Sequence, residues 1–218
     1  EIRLSLVGSE MCIRDRGKNS VYVPGKAAAY THPDVRVFGQ GNVYESRSNN
    51  ARAMKNNVSP RDIMKIGSKL VVCDGSNHRV LIFGTNGLAS DPELVLGQPD
   101  FDSGIRNSPH NKVSATGLSF PVAIASDGTN LIIADTGNNR ILIWNTFPTK
   151  NQQAPDVVLG QPDFLTNTTP TAATSSNLRL PYSIVFVGGK LYVSDASHHR
   201  ITIYNSMPTQ NNQAADAV

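Results

Sequence analysis

Cysteine is nearly missing from this chain: Cys12 and Cys73 are the only two in 218 residues, too few for a disulfide framework or a four-cysteine zinc site. Charge is scarce as well. Asp, Glu, Lys and Arg make up 17 % of the residues, below the roughly 25 % of an average soluble domain, so polar surface must come from Asn, Ser, Thr and Gln. The 20 basic residues exceed the 17 acidic ones by only three and nowhere form a block, which removes the usual basis for counterion-driven binding to nucleic acid. No run reaches the roughly 18 apolar residues of a membrane span. Helical periodicity is lacking too, which excludes a helical solenoid. What remains is a globular, β-rich protein long enough to bury a substantial core.

The positive signal is an internal repeat. Residues 66–83, 127–144 and 187–204 align almost without gaps, around Asp74-Gly75-Ser76-Asn77-His78-Arg79, Asp135-Thr136-Gly137-Asn138-Asn139-Arg140 and Asp195-Ala196-Ser197-His198-His199-Arg200. Arg79, Arg140 and Arg200 are spaced by 61 and then 60 positions, and Pro60, Pro121 and Pro181 keep the same spacing. A second signature, Leu-Gly-Gln-Pro-Asp-Phe, follows the first unit at Leu96–Phe101 and the second at Leu159–Phe164.

These landmarks divide the chain. Residues 1–20 match nothing further along and are read as a non-native or disordered leader. Pro33-Asp34-Val35-Arg36-Val37-Phe38-Gly39-Gln40 resembles the close of an earlier unit, so residues 21–57 are expected to be the remnant of a preceding blade. Three units then span about 58–101, 119–164 and 179–218, and the third stops before its Leu-Gly-Gln signature. The whole reads as a piece of a longer array.

Within each unit the apolar residues fall in short β-branched runs separated by Gly, Asp and Asn. In the second unit the expected strands are Val122 to Ser126, Asn130 to Asp135, Arg140 to Asn145 and Asp156 to Gly160, with a tight turn at Asp127-Gly128. Four antiparallel strands repeated at a fixed period predict an all-β fold. It is a β-propeller fragment of about three four-stranded blades plus part of a preceding one, each blade burying faces that it would expose alone.

At the Asp-x-x-x-[Asn/His]-Arg-[Val/Ile] segments the chain resembles the NHL repeat family, whose blades carry Asp-Thr-Gly-Asn-Asn-Arg-Ile followed by an aromatic. Residues 134–141 nearly reproduce that pattern; the third unit has His198 where the family has Asn. The units are longer than the roughly forty residues of common NHL blades, and the nearest likeness is to long-repeat bacterial NHL proteins that alternate the blade motif with Leu-Gly-Gln-Pro-Asp-Phe. The resemblance implies a secreted or cell-envelope location; the lack of a catalytic motif, the modest charge and the polar loops point to a scaffold without catalysis for a protein or glycan partner, and the repeat count to further blades in the same polypeptide. The resemblance also keeps open a propeller enzyme of lyase or lactone-hydrolase type with a metal at the central channel.

The residues themselves favour structural roles. Asp74 with Arg79, Asp135 with Arg140 and Asp195 with Arg200 are expected to pair within or between blades, each Asp accepting backbone N–H groups of the turn that follows it. A group repeated once per blade suits a staple better than a catalyst. Phe83, Trp144 and Tyr204 share one slot and are expected to pack between blades or at a blade edge, not to form a stacking platform for bases. His78, Asn139 and His199 share another, a turn position. Cys73, inside Leu70-Val71-Val72, reads as a small core residue. No nucleophile elbow, phosphate loop or zinc-peptidase helix is present, so no catalytic, cofactor or metal-ligand set is assigned.

In a four-stranded meander the turn between the second and third strands lies at the same end as the link to the next blade. Those links are long, residues 102–118 and 165–178, and suggest an elaborated surface at this end, either a binding rim or tolerated decoration. Asp102, Arg106, His110, Asn111, Lys112 and Asn167 are its candidate contact residues. The other end carries Phe147-Pro148-Thr149-Lys150-Asn151-Gln152-Gln153 and its counterpart at 207–213. RNA binding would need a contiguous basic face, for which Arg61, Lys65, Arg79, Lys112 and Arg140 are too scattered. Three units cannot close a ring, and an open arc is expected to bare two apolar blade faces. The isolated chain is therefore expected to self-associate, and a monodisperse monomer in light scattering would contradict that.

Overall fold

The computed structural model describes residues 3–7, 10–14, 59–85 and 91–218. Arg3–Val7 (β1) and Glu10–Arg14 (β2) pair as an antiparallel hairpin in a unit of its own, Glu1–Val35. The expected blade remnant at 21–57 lies outside the described residues.

The second unit, Arg36–Val218, contains the repeat. Blade 1 is built from β3 (Pro60–Ile66), β4 (Lys69–Asp74), β5 (Arg79–Phe83) and β6 (Leu94–Leu96). Blade 2 has β7 (Pro121–Ser126), β8 (Leu131–Asp135), β9 (Arg140–Trp144) and β10 (Val157–Leu159). Blade 3 has β11 (Pro181–Val187), β12 (Lys190–Asp195) and β13 (Arg200–Tyr204), and a single bridge, Ile203 to Ala217, stands where a fourth strand belongs. Each sheet is an antiparallel meander in chain order. Three single 3-10 turns, Gly75–Asn77, Thr136–Asn138 and Ala196–His198, join second to third strands.

The turns follow from local chemistry. Gly188 and Gly189, at φ 59 and 77, form the two-residue connection from β11 to β12, a geometry that needs left-handed backbone. The corresponding turn in blade 2 is longer than a tight turn at Asp127-Gly128. Ser126 pairs with Leu131, and the Asp127 carboxylate wraps the residues between by accepting the N–H groups of Thr129 and Asn130 at 2.8 and 2.7 Å. Proline opens each first strand, where its missing N–H costs no ladder bond, and an irregularity follows it in all three blades.

Stacking is legible in burial. The strands of blade 2 do not alternate: β8 and β9 are buried throughout, because both faces of the sheet are covered. Leu131, Ile133, Leu142 and Trp144 meet Val71, Cys73, Val80 and Ile82 of blade 1. From the opposite face, Ile132, Ile141 and Ile143 meet Ile184, Leu191, Val193 and Tyr204 of blade 3. First strands of successive blades, β3 with β7 and β7 with β11, make extensive contact, whereas fourth strands do not. The sheets therefore fan outward from their first strands, which is the arrangement of β-propeller blades.

One expectation is corrected. Two bare faces were foreseen, but the face of blade 1 turned away from blade 2 is buried at Val72, Leu81, Phe83 and Val95, with Ile63 its exposed exception. The open face belongs to blade 3. Val185 and Val187 are exposed there, and Tyr192, Ile201, Ile203 and Val218 line a shallow apolar hollow.

Ile141 and Ile201 occupy the same place in successive blades, yet Ile141 is fully buried and Ile201 is 56 % exposed. Ile141→Ala is expected to lower the unfolding free energy by about 2–5 kcal/mol, and Ile201→Ala by no more than about 0.5 kcal/mol. Chemical denaturation of the two variants measures the difference.

Candidate functional site

The face that carries the 3-10 turns and the long links is built around three buried ion pairs. Each Asp ends a second strand directly opposite the Arg that begins the third, so the pair lies within one blade. Nε of Arg79, Arg140 and Arg200 donates to Oδ2 of Asp74, Asp135 and Asp195 at 2.7, 2.8 and 2.8 Å. The side chains of the first two pairs are fully buried, while that of Arg200 keeps 15 % of its surface exposed.

Contrary to the expectation from the sequence, neither carboxylate oxygen caps a backbone N–H of the following turn. Oδ1 instead accepts the backbone N–H of the residue leading into the same blade: Ser59 at 2.6 Å, Ser119 at 2.7 Å and Arg179 at 2.6 Å. The turn is held through its third residue. Asn77 and Asn138 donate from Nδ2 to the same carboxylates, and His198 does so from Nδ1 at 2.8 Å. The histidine thus reproduces the amide donor that it replaces.

The guanidinium groups then reach beyond their blade. Nη1 of Arg79 donates to the carbonyl of Phe101 at 2.6 Å, and Nη1 of Arg140 to that of Phe164 at 2.8 Å. These are the final residues of the two Leu-Gly-Gln-Pro-Asp-Phe segments. Nη2 of Arg140 holds the carbonyls of Ser114 and Gly117, both at 2.9 Å, and Nη2 of Arg200 those of Thr174 and Asn177 at 2.6 and 2.9 Å. A planar fork of five donors suits this work better than an ammonium.

The glutamine of the second signature has a matching task. Gln98, fully buried, donates from Nε2 to the carbonyls of His78 and Ile105 at 2.9 and 2.8 Å and accepts the N–H of Ile105 on Oε1 at 3.2 Å. Gln161 binds Asn139 and Thr168 in the same way. The glycine before it, at φ 90 or 86, allows close approach: a Cβ on Gly97 would stand 2.7 Å from the carbonyl oxygen of His78. Asp100 and Asp163 then turn the chain into the link, accepting N–H groups of Asp102 and Ser103 and of Leu165; the hydroxyls of Ser103 and Thr166 first, and these backbone bonds after them, hold both carboxyls below the ordinary Asp range. Leu-Gly-Gln-Pro-Asp-Phe is therefore a fastening for the link.

Against this base the candidate contact residues are all exposed: Asp102, Arg106, His110, Asn111, Lys112 and Asn167. Between them the link is pinned again by a reciprocal amide pair. Asn107 and Asn138 each donate to the other's Oδ1, at 3.1 and 2.8 Å, and both are buried. Sequence reasoning did not find Asn107; the link at 165–178 has Pro170 in the matching place after its signature glutamine. That reasoning also left unassigned a bridge between blades, in which the left-handed residues His78 and Asn139 accept the N–H groups of Phe120 and Leu180.

Among the described residues the histidines do not converge. His198 turns inward to Asp195, and His199 is exposed on the open face of blade 3. Among the described residues no group of three or more His, Cys, Asp or Glu side chains is gathered for a metal ion. Cys73 is fully buried, and burial first, with Asp62 and Asp74 behind it, pushes its thiol well above the ordinary range. Trp144 packs toward blade 1 and donates from Nε1 to the carbonyl of Gln153, while Tyr204 packs toward blade 2.

No protein-family model and no curated protein matches the chain. Among solved structures it is similar to the WD40 β-propeller domain of Doa1, at 13 % identity and a TM-score of 0.39, over 72 % of this chain and 42 % of that one.

Arg140→Ala strands a buried carboxylate and frees three carbonyls, so a loss of about 3–5 kcal/mol is expected. Arg140→Lys keeps the charge but not the fork, and restores less than half of that in a denaturant titration.

Proposed function

We propose that this chain is a non-catalytic NHL-repeat propeller scaffold, secreted or held at the cell envelope, whose linker face presents loops to a protein or glycan partner. One observation carries the reading. The conspicuous polar residues of the motifs are spent on internal bonds that fix the long links to the blades, while Asp102, Arg106, His110, Asn111 and Lys112 on those links are exposed. Fixed backbone under exposed polar side chains lowers the ordering cost of binding. The open face of blade 3 carries apolar residues at positions that successive blades cover within the chain, and further blades of the same polypeptide are its proposed cover.

A screen of the chain against immobilised glycans and displayed protein domains, followed by variants, tests this. Asp102→Ala/Arg106→Ala/Lys112→Ala is expected to weaken any binding found at least tenfold while shifting the melting temperature by less than about 3 °C. Lys150→Ala at the other end of the blade leaves binding unchanged. Binding insensitive to the triple variant contradicts the assigned face, and turnover of a bound compound that depends on a divalent metal contradicts the scaffold.

A further inference from the structure

On the linker face the two blade junctions are closed by the same bond made with different chemistry. Phe120 donates its backbone N–H to Nδ1 of His78 at 3.0 Å, and Leu180 donates its own to Oδ1 of Asn139 at 2.9 Å. Both acceptors sit in left-handed backbone, at φ 54 and 56, and both donors precede the proline that opens the next blade. A backbone amide can only donate, so Nδ1 of His78 must carry the lone pair and the ring proton must lie on Nε2. Protonating the ring puts a hydrogen on the formerly bare Nδ1, facing the Phe120 hydrogen. The amide of Asn139 cannot titrate in this way.

We infer that His78 is an acid-released clasp between blades 1 and 2, and that the junction between blades 2 and 3, closed by Asn139, lacks this sensitivity.

The surroundings agree in sign. Burial of the half-buried ring, and next the Arg106 guanidinium on the link, hold the His78 pKa below its ordinary value, with Asp135 of blade 2 and Asp74 of its own blade pulling weakly the other way. Arg61 adds a cation over the Phe120 ring at 4.6 Å. A histidine whose pKa is lowered on folding contributes stability that is complete above its unfolded value of about 6.5 and is lost as pH falls through the folded value. The release reaches the link as well, because the His78 carbonyl is tied through Gln98 to Ile105. This inference stands on the junction alone and does not require the linker face to bind a partner.

Amide hydrogen exchange on the whole chain provides the test, with Leu180 as the internal reference. Expressed as protection factors, which remove the intrinsic effect of pH, protection at Phe120 is expected to fall about tenfold relative to Leu180 between pH 7.5 and 5.0. His78→Asn, which installs the residue used at the other junction, abolishes that fall, and Asn139→His transfers it to Leu180. Parallel behaviour of the two amides in the unsubstituted chain, or a fall that persists in His78→Asn, overturns the inference. Nitrogen NMR of the His78 ring gives a reading that needs no variant: a bare Nδ1 titrating below 6.5 is expected, and a proton on Nδ1 at neutral pH overturns the clasp.

Discussion

A guanidinium removed from water has five N–H donors to satisfy, and an unpaired buried ion costs several kcal/mol. Arg140 shows how this chain meets that demand. Its partners are Asp135 in its own blade, Ser114 and Gly117 on the link that arrives, and Phe164 on the segment that leaves. No local piece of structure could supply all four. The side chain is satisfied only when three separate stretches of chain are already in place, so it acts as a check on assembly more than as a source of net stability. Arg79 and Arg200 repeat parts of the same set.

The two ends of each blade are finished by different means. At the linker end, Asp, Arg, Gln and Asn side chains form a continuous layer of bonds. At the other end the repeated Pro-Thr loops cover the strand edges of the preceding blade: Asn151 accepts the N–H of Val95 while Gln152 donates to its carbonyl, and Asn211 and Asn212 treat Val158 alike. A fourth strand has an unpaired edge that invites association, and the next blade's loop closes it at one residue. Apolar stacking between these two polar ends supplies the bulk of the burial.

Much of this was legible in the sequence because it recurs. A period near sixty, proline at each blade entry and Asp opposite Arg all follow from aligning the chain with itself, and the four strands expected in blade 2 lie within one or two residues of those observed. The burial of Cys73 and the packing of Trp144 and Tyr204 between blades were legible for the same reason. What was missed depends on contacts between segments far apart in the chain. The second oxygen of each Asp goes to the blade entry sixteen residues earlier in blade 2, and a single strand pattern gives no sign of it. Gln98 and Gln161 were visible as a motif but not as a fastening, since their partners lie in a link without a recognisable pattern. Asn107 left no trace because, among the described residues, a bond from a link asparagine to the turn asparagine occurs at one junction. The burial of the blade 1 face turned away from blade 2 runs against the open arc inferred from counting repeats.

The central claim is that the links are fixed by the buried bonds beneath them, although they have no regular secondary structure. Backbone nitrogen relaxation across residues 103–118 tests it most directly. The account predicts order parameters close to those of the strands, about 0.85, through Ile105, Asn107 and Gly117, where Gln98, Asn138 and Arg140 hold the chain. Values below about 0.6 at those three residues would contradict it.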